Sequence, residues 1–379
     1  LAKGKPDKFI FSLMLILISI GVVMLLSTSS VVGFSNFHDS YYFIKKHAVF
    51  LVAGTFAFTV GLKFPHTVYR RFSLHGLGFG VFLLLLTMIP GIGVQLGGAR
   101  RWLNLGILQI QPVEMVKFFI VVFVSTSLAN KQKTIKSFKK GLFPILAMVI
   151  VPLALLIRQP DLGNVILSLG ITFSLLFLGG ARIQHMMALF GAGLSAVVLS
   201  VATHPYQLGR VKTFLFPWRD PLGKSYHVIQ SFIAIGSGGV FGRGLGGSKL
   251  KYSYLPLHYS DFIFSIVCEE GGLILATIVL VLYGLVFYRG LSIAFYARSA
   301  FSFYLGVGVT LLLVFQALIN MGVAIGVFPA KGVPLTFISF GGTALIMSMF
   351  YIGVLMNISK MSPVGGATLE ESAENLKIT

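Results

Sequence analysis

The chain has 379 residues, of which 56% are hydrophobic and only 11% charged, against about 25% charged in an ordinary soluble protein. At a mean hydropathy of +0.89, no single core in water could bury this much apolar side chain, which excludes a soluble enzyme and a disordered scaffold. A net charge of +19 would suggest nucleic acid in a soluble domain. Here the basic residues gather in short loops between apolar runs, so the composition describes a polytopic membrane protein with no nucleic-acid partner.

Ten apolar segments are long enough, or nearly so, to cross about 30 Å of hydrocarbon. In chain order they lie near Phe9–Val32, His47–Leu62, Gly76–Gly91, Pro112–Asn130, Leu142–Ile157 and Leu162–Gly180. The last four lie near Gln184–Thr203, Ser260–Tyr288, Ser299–Gly326 and Phe337–Ser359. The expected fold is an all-α polytopic membrane protein with ten transmembrane helices. With the N-terminus inside, 16 Lys and Arg fall on the inner side and 6 in short outer loops, a bias that places both termini in the cytoplasm.

The long connection His204–Tyr259, between the seventh and eighth spans, is then extracytoplasmic. It carries seven Lys or Arg, Arg243 and Lys249 among them, against one acid, Asp220. Two readings stand side by side: a cradle for an anionic ligand at the outer surface, or attraction to anionic lipid headgroups. Residues 1–361 form one membrane domain, and residues 362–379 read as a disordered cytoplasmic tail.

Only 11 acids are present, and five of them, Glu114, Asp161, Asp261, Glu269 and Glu270, fall in spans or at their ends. An ionisable group costs on the order of 3 kcal/mol at the bilayer centre and flags function by default. Glu114, Asp161 and Asp261 open inward-running helices at their outer ends. Glu269 is about 12 Å deeper than Asp261 and about 80° round the helix, so the two could line one cavity while Glu270 faces another helix.

Lys117 follows Glu114 by three positions, a spacing that allows an ion pair. It either fixes the helix through that pair or meets a phosphate as a point charge. Arg100 and Arg101 precede that span beside Trp102, an interface anchor. Asp161 and Asp261, the latter behind Ser260, are both explicable as helix-start residues. The run Gly236–Gly247 holds seven glycines and a G-x-G-x-x-G match. No strand precedes it, so a dinucleotide site is not indicated. The scattered histidines and the single Cys268 give no metal site.

The stretches GGARRWLNLG at 97–106, QPVEMVK at 111–117 and RQPDLGN at 158–164 stand in order with three more. These are DPLGKSYHVIQSFIAIGSGGVFGRGLG at 220–246, YLPLHYSDFIFSIVCEEGG at 254–272 and GVPLTFISFGG at 332–342. Together they resemble the SEDS proteins, the ten-span peptidoglycan glycosyltransferases, and within them the FtsW division branch more than the RodA elongation branch.

The resemblance implies polymerisation of lipid II at the outer face of the bacterial cytoplasmic membrane, at the division septum, with Asp261 at the family's catalytic aspartate position. It implies substrate-binding roles for Arg100, Arg101, Lys117, Gln159, Asp161 and Ser339. Arg243, Lys249 and Glu269 join them as candidates. It also implies a class B penicillin-binding protein and other division proteins as partners. A divalent cation, Mg or Mn, at the pyrophosphate is compatible with that chemistry, and no ligand cluster demands one. The chain departs from the family pattern at Leu257, Tyr259 and Ser260, and Thr336 stands where proline is common. Two alternatives to the polymerase are a flippase for the lipid-linked precursor and a non-catalytic scaffold of the division machinery.

Overall fold

The computed structural model of the protein describes residues 5–96, 99–104, 106, 109–203, 205–223, 225–248, 261–329 and 332–361. Lys249, the 257–260 departures and the tail after residue 361 lie outside them. Each of the ten predicted apolar segments contains a helix, but the last helix begins at Gly342 rather than Phe337, because the chain at 332–341 is non-helical. Helices α1 (Lys8–Phe37), α2 (Tyr42–Lys63), the short α3 (His66–Arg71) and α4 (Ser73–Met88) come first. A three-stranded antiparallel sheet follows: β1 (Gly93–Leu96), β2 (Ala99–Asn104) and β3 (Gln109–Ile110), in that order.

Next come α5 (Val113–Asn130), α6 (Phe143–Arg158), α7 (Leu162–Leu178), α8 (Ile183–Thr203), α9 (Pro205–Leu215) and α10 (Tyr226–Gly238). The chain ends in α11 (Ile263–Phe295), α12 (Ala300–Ala324) and α13 (Gly342–Lys360). Among the described residues seven helical stretches are long and apolar enough to cross a membrane, and α4 and α7 are shorter apolar helices.

The small sheet corrects the all-α expectation. Between α4 and α5 the chain cannot stay helical: Pro90 and Gly91 end the apolar run, and β1 and β2 pair Val94 with Trp102 across an antiparallel ladder. The long connection is also more ordered than a loop, since it carries α9 and α10, with Val228 and Ile229 of α10 buried.

Small residues let the helices approach closely where lipid gives no hydrophobic drive. A Cβ on Gly353 of α13 would lie 2.3 Å from the Phe58 carbonyl of α2, and one on Gly61 would lie 2.6 Å from the Phe350 carbonyl. At the opposite end from Asp261, the Asp7 carboxylate caps α1 through the Ile10 amide and binds Arg289 at 2.7 Å, while the Asp7 amide donates to Ser359 Oγ. One acid thereby joins the ends of three helices.

Helix α11 is broken at Gly272, with φ 64° and ψ −165°. A break frees backbone donors and acceptors, and inside an apolar bundle these must find partners. The glycine-rich run supplies them. The amides of Arg243 and Gly244 donate to the carbonyls of Glu269 and Glu270, and the amides of Leu273 and Ile274 donate to the carbonyls of Gly239 and Val240. The approach is so close that a Cβ on Gly238 would stand 2.0 Å from the Cys268 carbonyl oxygen. The run therefore serves as a backbone splint for α11.

Gly242 is the sharpest test, because it has φ +78° and its Cβ would lie 2.2 Å from the Glu270 carbonyl oxygen, whereas Gly244 (φ +82°) has open space. Gly244→Ala should cost only the conformational strain of about 1–3 kcal/mol. Gly242→Ala should cost about 1–3 kcal/mol more for overpacking, read as a lower melting temperature of the purified protein than that of Gly244→Ala. Equal melting temperatures would show that the contact with Glu270 is slack.

Candidate functional site

The segment 332–341 between α12 and α13 is non-helical yet buried, with Val333, Leu335, Phe337, Ile338 and Ser339 at 2% exposure or less. Every polar group of such a segment needs a partner. Two amide side chains one turn apart on α12 provide two of them: Gln316 Nε2 donates to the Pro334 carbonyl at 3.2 Å, and Asn320 Nδ2 donates to the Val333 carbonyl at 2.8 Å. Thr336 Oγ1 donates to the Leu313 carbonyl, and the Tyr283 hydroxyl donates to the Thr336 carbonyl. The Leu335 amide donates to Ser339 Oγ at 2.8 Å, so Ser339 closes the turn on itself. Phe337 is held at φ 67°, a conformation that costs a residue with a side chain and persists only where its surroundings over-determine it.

Asp261 sits immediately before Phe262, the N-cap of α11. Its own carbonyl accepts from Asn320 Nδ2 at 3.0 Å. One amide group therefore bridges Asp261 to Val333, fixing the head of α11 against the inserted segment. The second amide continues inward: Gln316 Oε1 accepts from Lys117 Nζ at 2.7 Å, and Lys117 Nζ donates to Glu114 Oε1 at 2.8 Å. The Glu114 carbonyl accepts from the Tyr351 hydroxyl at 2.8 Å. The i,i+3 pair read from the sequence is thus formed, with both side chains at 2% exposure or less.

A second group lies where α4, the sheet and the α6–α7 turn meet. Arg101 donates from Nε to the Gln159 carbonyl at 2.9 Å and from Nη2 to the Pro160 carbonyl at 2.7 Å. Gln159 Nε2 donates to Thr87 Oγ1 and the Leu84 carbonyl. Asp161 is the N-cap of α7, accepting from the amide and side chain of Asn164. Arg100 stands half-buried beside Arg101 on β2. Arg101 and Gln159 thus tie the sheet, the turn and α4 together.

A third group hangs on the broken α11. Glu269 accepts from Ser248 Oγ at 2.5 Å and lies 3.5 Å from Arg243 Nη1, while Glu270 Oε1 accepts from Ser27 of α1 at 2.6 Å and from the Ser248 amide at 3.4 Å. Glu270 therefore faces another helix, as the helical spacing suggests. Glu269 is tied to the glycine-rich segment by Ser248 and Arg243.

Gln316 and Asn320 were not singled out from the sequence. Their signal is there: two amides four residues apart on one face of an otherwise apolar span. Among the described residues no group of three or more His, Cys, Asp or Glu side chains gathers.

The buried pair makes its own prediction. Lys117→Met leaves Glu114 buried without its partner and should cost about 3–5 kcal/mol, read as a fall in melting temperature. Adding Glu114→Gln should recover most of that loss, and a single variant as stable as the native chain would mean that the pair carries no such burden.

A profile of the FtsW, RodA and SpoVE family, described as a cell cycle protein, matches residues 7–363. Stage V sporulation protein E of Bacillus subtilis is 37% identical over 360 residues, covering 95% of this chain and 98% of that protein. A probable peptidoglycan glycosyltransferase FtsW of Trichlorobacter lovleyi is 36% identical over 363 residues, covering 95% of each. A solved chain from work on structural coordination of polymerization and crosslinking by a peptidoglycan synthase complex matches with a TM-score of 0.78 at 28% identity. That match covers 94% of this chain and 98% of the other. The rod shape determining protein RodA of Thermus thermophilus shares the fold, with a TM-score of 0.70 at 23% identity and coverage of 95% and 98%. The chain belongs to the FtsW, RodA and SpoVE family of cell cycle proteins, the SEDS family that its motifs resemble.

Proposed function

We propose that the protein is a peptidoglycan glycosyltransferase that joins lipid II units into glycan strands at the outer face of the bacterial cytoplasmic membrane during division. The observation that carries the reading is the setting of Asp261, a carboxylate at the head of a membrane helix, bridged by Asn320 to a buried and pinned segment. The full-length likeness to relatives named as probable peptidoglycan glycosyltransferases supports the chemistry. In this reading α4, α7 and α8 complete a ten-span bundle with both termini in the cytoplasm. The connection between the seventh and eighth spans then lies outside.

Asp261 acts as general base. Its carboxylate takes the proton of the acceptor sugar's hydroxyl as that oxygen attacks the donor's anomeric carbon, and the bond from that carbon to the pyrophosphate oxygen breaks. Undecaprenyl pyrophosphate leaves with the bonding electron pair. Base catalysis of this kind contributes typically 10²–10⁴-fold, and cations aimed at the departing charge add to it. Arg100, Arg101, Arg243 and Lys249 are the candidates for that neutralisation, and Lys117, Gln159, Asp161, Glu269 and Ser339 are the further candidates for substrate binding. A divalent cation, Mg or Mn, would supply the same charge neutralisation, but among the described residues no cluster of three or more His, Cys, Asp or Glu side chains would hold one.

The cross-linking partner is a class B penicillin-binding protein, supported by the likeness to a chain of a peptidoglycan synthase complex. The test uses purified full-length protein with and without that partner, supplied with labelled lipid II. Asp261→Asn should lower glycan-chain formation by at least about 10²-fold while melting temperature and partner binding are kept. Equal polymer from both chains would remove Asp261 as the base. No polymer under any condition would favour a flippase or a scaffold.

A further inference from the structure

The pinned segment begins at Gly332, which is exposed although its neighbour Val333 is buried. A Cβ built on Gly332 would stand 3.4 Å from Asp261 Oδ2 and 4.0 Å from both Cγ and Oδ1. A side chain at position 332 would thus lie against the carboxylate of Asp261. Backbone conformation does not demand glycine there, because Gly332 is not among the positive-φ residues. Packing among the described residues does not demand it either, since 3.4 Å is ordinary contact. The geometry is held rather than accidental. Asn320 grips the carbonyls of Asp261 and Val333 with one amide nitrogen, at 3.0 and 2.8 Å, and so fixes the spacing between residue 332 and the carboxylate.

A general base must come within about 2.6–3.2 Å of the oxygen it deprotonates. A carbon 3.4 Å from Oδ2 occupies the volume through which that oxygen would arrive on this side. We infer that Gly332 holds open the approach to Asp261: the acceptor's sugar hydroxyl reaches the carboxylate across the bare α-carbon of Gly332, and residue 332 sets the size of the group admitted. The inference rests on the reading of Asp261 as the base. Its physical part, access to the carboxylate from the Gly332 side, can be tested separately.

Full-length protein with its partner is prepared as the native chain, Gly332→Ala and Gly332→Val. Gly78→Ala is the control, a glycine on α4 with open space around it. Two quantities are read: polymer formed from labelled lipid II, and the rate at which a water-soluble carbodiimide with a small amine labels Asp261, followed by peptide mass spectrometry. Gly332→Ala should slow polymerisation by about tenfold and Gly332→Val by about 10²-fold or more, the scale on which a misplacement of about 1 Å acts. Carbodiimide labelling should slow in the same order, with melting temperatures and the Gly78→Ala control unchanged. Native-like polymer from Gly332→Val, a labelling rate unchanged by either substitution, or an activity loss that only follows a loss of melting temperature overturns the inference. Polymer from Asp261→Asn equal to the native chain would instead sink the reading of the base, and the labelling result would still report whether position 332 screens the carboxylate.

Discussion

Backbone that leaves the helix inside an apolar bundle must be given its hydrogen-bond partners by the protein itself. That constraint governs both unusual features of this chain. The buried segment 332–341 is met by side chains, the amides of Gln316 and Asn320 and the hydroxyl groups of Thr336, Tyr283 and Ser339. The break in α11 is met by backbone, because the glycine-rich run offers amides and carbonyls in register with the freed groups. The two solutions converge on one helix. Asp261 stands at its head and Gly272 at its break, so each end of the segment 263–271 is anchored by a neighbour rather than by helix continuity.

The acids follow the same economy. Glu114 is met by Lys117, Asp7 by Arg289, Asp39 by Lys45 and Glu269 by Arg243. Asp161 is turned to its own helix start. A buried pair is a poor source of stability, since desolvation of two charges offsets most of their attraction. The Glu114–Lys117 pair is therefore better understood by what it holds. It orients Gln316, which holds Pro334, and the adjacent amide of Asn320 holds Val333 and Asp261. Charge in the first turns of α5 is linked in this way to the position of a carboxylate at the head of α11.

Much of this was legible in the sequence. Hydropathy located the helical segments, and the i,i+3 spacing gave the Glu114–Lys117 pair. Helical geometry gave the facing of Glu270 toward another helix, α1, and the short turn before α7 gave Asp161 as its cap. The remainder was hidden for physical reasons. A small sheet between apolar helices leaves only a few residues of alternation, too short for periodicity to register. The break at Gly272 lies inside a continuous apolar run, where hydropathy is blind to backbone direction. The glycines of 236–247 read as a weak nucleotide match because spacing alone does not say that backbone needs to approach backbone. Gln316 and Asn320 escaped notice because uncharged amides carry little hydropathy penalty, though they do most to fix the inserted segment.

The position of Asp261 bears on its strength as a base under the proposed reading. A carboxylate inside the first turn of a helix is stabilised by the dipole, an effect that falls off within that turn, and a stabilised carboxylate is a weaker base. Asp261 lies one residue before the N-cap Phe262 and two before the first helical residue, so it stands at the edge of that field. A general base must be ionised to act. Strong basicity is not required when the leaving group is a pyrophosphate. Glycosyl transfer passes through an oxocarbenium-like state in which bond breaking at the donor carries much of the barrier. The hydroxyl becomes acidic only as it bonds to that electron-poor carbon, so its proton passes late and a modest base in the right place suffices. Placement then matters more than pKa, and placement is what Asn320 supplies by tying Asp261 to the segment that begins at Gly332.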